Sequence, residues 1–348
     1  MRRNDIDWIR VLALGLLIIY HNVVAFQPWG YKIFFIQNKQ SLESLWILMS
    51  MINVWRIPIL FMISGMGVYF AMRRRNWKQL LKERTIRILI PYIFGFLFIC
   101  PVNIYFTALF YGKEVNYIPN PGHLWFLGNI FSYVLFLLPF LIYLNNKSDN
   151  FLFRGLKWLL NYRFGIICLA FIVAIESILV RPEFFTAYAL SSHGYWLGII
   201  CFIIGFCLVS MDKVFWKAVE KVRLINLSLG FIFYLVRLTF MFTQQIEGFY
   251  WLSGFESMCW MLAIFGYGSI YLNKASSALS YLREAVFPVY IIHLPIQFFL
   301  SYLIMPLNIS AIAKLVLILV GTFGVSFLFY EMLRRIKWIR PLFGLNLN

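Results

Sequence analysis

Charge is scarce in this chain. Only 13% of its 348 residues are Asp, Glu, Lys or Arg, and just 14 of those are acidic. A water-soluble domain carries about twice that share, so no ordinary soluble fold has the polar surface it would need. Cysteine is sparse and unpaired: Cys100, Cys168, Cys201, Cys207 and Cys259 all fall inside apolar stretches. That spacing excludes a disulfide framework and a zinc site, and no metal is expected. Repeats of about 20 to 50 residues and low-complexity tracts are missing as well, which argues against solenoids and long linkers.

Apolar length is what the chain has. Hydrophobic residues make up 62% and aromatics 20%, with a mean hydropathy of +0.78. A helix needs about 20 apolar residues to cross a hydrocarbon core of about 30 Å. Ten such runs are present, over residues 8–26, 45–71, 86–110, 124–144, 164–180, 194–209, 224–242, 250–272, 285–305 and 310–330. The expected fold is all-α: one polytopic membrane domain over residues 1–348 with about ten transmembrane helices, the fifth and sixth being the shortest. The first run follows Arg2 and Arg3 but ends in no small-residue cleavage site, so it reads as a retained helix rather than a removed signal peptide.

The net charge of +17 invites a nucleic-acid reading, but the basic residues lie in short runs between apolar segments, which is a topology signal. With the N-terminus in the cytoplasm, 23 of the 31 Lys and Arg fall on the cytoplasmic side and four, Lys32, Lys39, Lys113 and Arg181, fall outside. Positive charge is retained inside, so both termini are expected to be cytoplasmic. No nucleic-acid partner is expected.

Ionisable side chains within spans are costly and usually face a cavity or a partner. Counted from its entry side, the outer half of the bilayer holds His21, Glu176, Arg237 and Glu256, with His123 at the outer start of the fourth run and Arg56 near the midplane of the second. Opposite charges in one leaflet fit a cavity for a polar, hydroxyl-rich ligand, which makes Arg56, His123, Glu176, Arg237 and Glu256 candidate acceptor-binding residues. The plain alternative is a structural ion pair, such as Glu176 with Arg237.

Arg10 and His21 share the first run. Eleven residues at 100° each return to within about 20° of the same face with a rise of about 16 Å. Arg10 sits at the cytoplasmic edge, where guanidinium grips phosphate bidentately; His21 sits deep, where imidazole suits a general base. That separation suits an extended thioester such as coenzyme A, bound by its phosphates inside and reaching His21 with its thiol end. A snorkelling arginine and a hydrogen-bonded core histidine are the plainer reading.

In the second run, Pro58 frees the carbonyl of Val54, and Ser64, Gly65 and Gly67 permit close helix approach. Beyond it, Arg73 to Arg75 read as an inside anchor, whereas Arg84 and Arg87 are candidate phosphate ligands for the donor. His293 stands between Pro288 and Pro295, either lining the donor path or satisfying a freed carbonyl.

In this order the residues resemble the acyltransferase 3 family of membrane acyltransferases, especially its branch similar to glucan biosynthesis protein C. The resemblance rests on Asp7-Trp8-Ile9-Arg10 ahead of His21, on RIPILFMISG from Arg56 to Gly65, and on Arg84-Thr85-Ile86-Arg87 leading to Pro91. It continues through His123-Leu124-Trp125-Phe126-Leu127, the FPVYIIHLPI stretch ending at Ile296, and Tyr330-Glu331 before the basic tail. It implies transfer of acetyl, succinyl or a related group from acyl-CoA to a hydroxyl or amine of an envelope glycan or glycolipid, in a bacterial inner membrane. It also implies that Arg10 and His21 are the essential pair and that Arg84 and Arg87 serve function. Roles for His123, Glu176, Arg237 and His293 transfer with less force. The large extra periplasmic domain of some relatives is lacking, so acceptor recognition must reside in the membrane domain and its loops.

A transporter or flippase exporting a sugar or lipid-linked substrate would also use intramembrane charges and a broken helix. Against it stand the lack of repeats and the Arg10/His21 stripe. A non-catalytic scaffold does not explain six buried ionisable side chains. Within the enzyme reading, direct transfer with His21 as base competes with an acyl-enzyme on a hydroxyl such as Ser64.

Overall fold

The computed structural model describes residues 3–146, 150–162, 164–243 and 250–346, and among them every regular element is a helix. All ten apolar runs are helical: α1 (Asn4–Val24), α2 (Leu45–Met72), α3 (Trp77–Phe110), α4 (Gly122–Asn146), α6 (Gly165–Val180), α7 (Ser192–Ser210), α8 (Lys213–Phe242), α9 (Tyr250–Tyr271), α10 (Ser277–Ile304) and α11 (Ala311–Leu333). Eight of them are long and apolar enough to cross a membrane; α6 is shorter, and α9 is diluted by Ser253, Glu256 and Ser257. The protein is therefore an all-α, multi-pass membrane protein.

An eleventh helix, α5 (Phe151–Asn161), occupies what the sequence reads as a basic loop; Asn150 caps it by accepting the Phe153 amide at 2.9 Å. At 11 residues it is too short to span. α3 is not a uniform α-helix either. π-turns at Thr85–Leu89 and Gly95–Ile99 each add a residue to the winding, and each precedes a proline, Pro91 or Pro101, whose ring would clash with the carbonyl four residues back.

Solvent preference is inverted relative to a soluble protein. On α11 the buried stripe is Ala311, Lys314, Ile318, Thr322, Ser326 and Tyr330, while Ile312, Val316, Val320 and Leu328 are exposed. Polar and small groups face inward because the outward surface meets lipid, which rewards no hydrogen bond.

The helices sort into two compact units. The first is built from residues 1–13, 51–81 and 132–279. Within it α2 crosses α7 at van der Waals contact of the backbones: a Cβ on Gly65 would lie 1.9 Å from the Phe202 carbonyl oxygen, and one on Gly205 would lie 2.1 Å from that of Met62. Gly65 thus meets the close-approach expectation, whereas Gly67 has open space around it. Gly254 of α9 sits against Ala174 of α6 in the same way.

The second unit comprises residues 14–50, 82–131 and 280–348. Its larger apolar cluster joins Val24 at the end of α1, Phe26 and Phe35 of the following loop, Leu294 and Phe298 of α10, and Ile318 of α11. A smaller one joins Ile18, Ala285, Val289 and Tyr330. The chain after α11 turns through a 3-10 helix, Lys337–Phe343, whose Phe343 ring lies 5.5 Å from Phe94 of α3. Gly344 then adopts φ +69°, with its α-carbon face against the Arg87 carbonyl and the Phe287 ring, so the tail is fastened beside the first π-turn.

Candidate active site

Prolines inside spans release backbone acceptors, and in this chain the released carbonyls locate the polar side chains. Pro58 frees Val54, whose oxygen accepts from the Tyr188 hydroxyl at 3.0 Å, with the Asn53 oxygen at 3.2 Å. Burial pushes the Tyr188 phenol well above the ordinary tyrosine range, so it remains a donor. Pro101 frees Leu97, which accepts from the Tyr117 hydroxyl at 2.8 Å. Pro295 frees Ile291, and its oxygen lies 3.0 Å from His123 Nε2, as does that of Tyr290. The freed carbonyl near His293 is thus taken by a different histidine.

That exchange places three histidines of the second unit together. His123, at the start of α4, faces His293 of α10 at 5.0 Å between ring centres and 81° between planes. His293 is fully enclosed; its Nδ1 lies 2.8 Å from the Tyr290 carbonyl and its Nε2 lies 2.9 Å from His21 Nδ1. The His21 and His293 ring planes differ by only 6°, which aligns the nitrogen lone pairs for that bond. Gln297 donates to the His21 carbonyl at 2.8 Å, and Tyr290 donates its hydroxyl to the His123 carbonyl at 2.5 Å. Of the three, only His21 is half-exposed.

The bonding fixes the tautomers. A backbone carbonyl only accepts, so His293 carries its proton on Nδ1, and in its neutral form Nε2 must accept. His21 therefore donates from Nδ1, which makes its Nε2 the basic nitrogen. An orienting group that holds the far nitrogen of a base is the arrangement general-base catalysis requires.

The other expected site residues are divided between the units. Arg84 and Arg87 belong to the second: Arg84 closes the first α-helical segment of α3, and Arg87, exposed, lies within the π-turn 3.4 Å from Glu83. Arg10, Arg56, Glu176, Arg237 and Glu256 belong to the first. Arg10 lies 3.7 Å from Asp7, one turn earlier on α1. Arg56, almost fully buried, donates to Asn53 at 3.0 Å. The ion pair illustrated by Glu176 with Arg237 is composed differently. Arg237 grips Glu256 through Nε and Nη2, at 2.5 and 2.9 Å, while Glu176 lies 2.9 Å from His193 Nδ1. His193 holds the Phe185 carbonyl with its other nitrogen, 2.9 Å away. His193 escapes the sequence expectations because it precedes the apolar run that starts at residue 194; the available signal is that it is one of only four histidines.

Among the described residues no group of three or more His, Cys, Asp or Glu side chains could hold a metal ion. Neither the curated proteins nor the solved structures contain a match to the chain. A family model of an acyltransferase domain does match, over residues 3–331, from the helix bearing Arg10 and His21 to the end of α11. The chain thus belongs to the acyltransferase 3 family, and the multi-pass helical protein is a membrane acyltransferase.

Proposed function

We propose that the protein transfers an acyl group, acetyl, succinyl or similar, from cytoplasmic acyl-CoA to a hydroxyl or amine of an envelope glycan or glycolipid across a bacterial inner membrane. The observation that carries the reading is the His21 to His293 bond. His21 Nε2 takes the proton from the acceptor hydroxyl as its oxygen attacks the thioester carbonyl. The new carbon–oxygen bond forms, the carbon–sulfur bond breaks, and the thiolate recovers the proton from the His21 imidazolium. His293, enclosed and bonded through both nitrogens, holds the base in its tautomer rather than touching the donor. His123, bonded to the Tyr290 and Ile291 carbonyls, fixes α10 around His293.

Arg84 and Arg87 would hold the donor phosphates, assisted by the basic tail packed beside the π-turn. π-turns often mark functional sites, and this one holds Arg87 and directly follows Arg84, at the end of α3 that is rich in basic residues. Purified protein in lipid, given labelled acyl-CoA and a glycan extract, should move the label to glycan or release it by hydrolysis. An exporter would leave the label on coenzyme A. Arg84→Ala with Arg87→Ala should raise the KM for acyl-CoA more than it lowers kcat. If saturating donor does not restore activity, the phosphate role is wrong.

The orientation has its own test. A cytoplasm-only fluorescent reporter after Asn348 should light up and a periplasm-only reporter should stay silent; the opposite pair of results would reverse every inside and outside assignment.

A further inference from the structure

The loops that follow α1 and α3, assigned to the outer face by the distribution of Lys and Arg along the sequence, frame an open groove of about 460 Å³ lined by Tyr31, Gln37, Asn38, Lys39, Tyr111 and Lys113. All six belong to the second unit. We infer that this groove seats the acceptor, and that the acceptor it fits is a carbohydrate carrying an anionic group, a carboxylate or a phosphate. The inference rests on the acyltransfer reading above and adds its substrate class.

The charge distribution is the first argument. Outer loops of a membrane protein are depleted of basic residues, and only four of 31 fall there in this chain. Three of those four, Lys32, Lys39 and Lys113, lie in the two loops that form the groove, and two of them line it. The carboxylates of the same loops, Glu43 and Glu114, do not line it, and Glu43 accepts from Ser41 at 3.1 Å. A third cation stands behind the wall. Lys314 of α11 is buried, and its Nζ lies 3.3 Å from Asn38 Oδ1 and 2.7 Å from the Met305 carbonyl. A buried ammonium bonded, among the described residues, to neutral oxygens leaves positive potential on the groove that its partner lines.

The second argument is construction. Asn38 is held by its backbone amide to the Ala25 carbonyl at 2.9 Å and by its side chain to the Gln40 carbonyl at 2.8 Å. Tyr111 accepts from the Gln37 amide at 3.0 Å and donates to the Phe35 carbonyl at 3.3 Å. Lys113 donates to the Tyr31 hydroxyl at 2.9 Å, and the Tyr31 and Tyr111 rings meet edge to face at 4.9 Å. Two fixed aromatic rings, two amides and two amines are the elements that recognise a sugar ring and an attached anion. The third argument is continuity. Phe35, whose carbonyl accepts from the Tyr111 hydroxyl of the groove, places its ring 6.0 Å from the His21 imidazole. Contacts thus run from the groove tyrosine through Phe35 to the base.

The test measures binding without chemistry. Protein in nanodiscs of zwitterionic lipid is titrated with a glucuronate-containing trisaccharide and with a neutral glucose trisaccharide. The acidic probe should bind about tenfold more tightly at low salt, with the preference fading above about 0.1 M as charges are screened. Lys39→Gln with Lys113→Gln should erase that preference, and Lys39→Arg with Lys113→Arg should keep it. Equal binding of both probes, or a preference that survives the glutamine variants, overturns the groove assignment. If including phosphatidylglycerol in the nanodisc abolishes binding of the acidic probe, the groove is a lipid-headgroup site and the carbohydrate assignment falls. Transfer of label from acyl-CoA is assayed separately: its failure alongside selective binding removes the acyltransfer reading and leaves the groove standing.

Discussion

His21→Ala should lower turnover by about 10² to 10⁴ while yield and acyl-CoA binding persist, the range a positioned base contributes. The size follows from what the side chain does in the structure. His293 fixes the imidazole plane and its proton on Nδ1, so the whole benefit of a lone pair on Nε2 is lost with the ring. Half-exposed, His21 leaves little cavity when truncated, so the loss should appear in kcat and not in thermal stability. Acyl-CoA titration and a melting curve on the same preparation separate the two. Near-normal turnover at saturating donor would remove His21 from catalysis. A covalent acyl adduct trapped in the variant would favour an acyl-enzyme instead, and Ser64, which donates to the Leu60 carbonyl at 2.8 Å, would become its first test.

How much of this was legible in the sequence differs by level. All ten apolar runs are helices because the pattern that matters, length without charge, is local. α5 was hidden by the same criterion, since four basic residues in 145–163 mark a loop by charge while Phe153 and Leu160 still bury one helical face. The π-turns of α3 have no residue signature of their own; only Pro91 and Pro101 hint that the ladder must adjust. For the site, each proline names the carbonyl it frees, four residues back. Which donor answers is a tertiary fact: Tyr188, Tyr117 and His123 lie 134, 20 and 168 residues from the carbonyls they hold. The His21 to His293 bond, across 272 residues, was equally out of reach. Periodicity relates Arg10 to His21 on one helix but says nothing about a partner from another.

Charge partners show the same limit, and they lead to the other large effect. Leaflet position alone brings Glu176, Arg237 and Glu256 together as equals, whereas the structure joins Arg237 to Glu256 in a two-point bridge and gives Glu176 to His193. Glu256 is wholly enclosed and Arg237 nearly so, with side chains 0% and 15% exposed. Removing one partner of such a pair costs about 3–5 kcal/mol, because the other charge stays buried without compensation. The two single variants should not be equal. After Arg237→Met the orphaned carboxyl can take up a proton and become neutral, but after Glu256→Leu the guanidinium cannot give one up. Glu256→Leu should therefore be the less stable of the two in a detergent melting assay, and the double variant should recover most of the loss. Its activity decides the role of the pair. Restored stability with restored transfer to glycan makes the bridge a structural strut between α8 and α9. Restored stability with transfer abolished, and acyl-CoA binding intact, would place Arg237 and Glu256 in acceptor recognition.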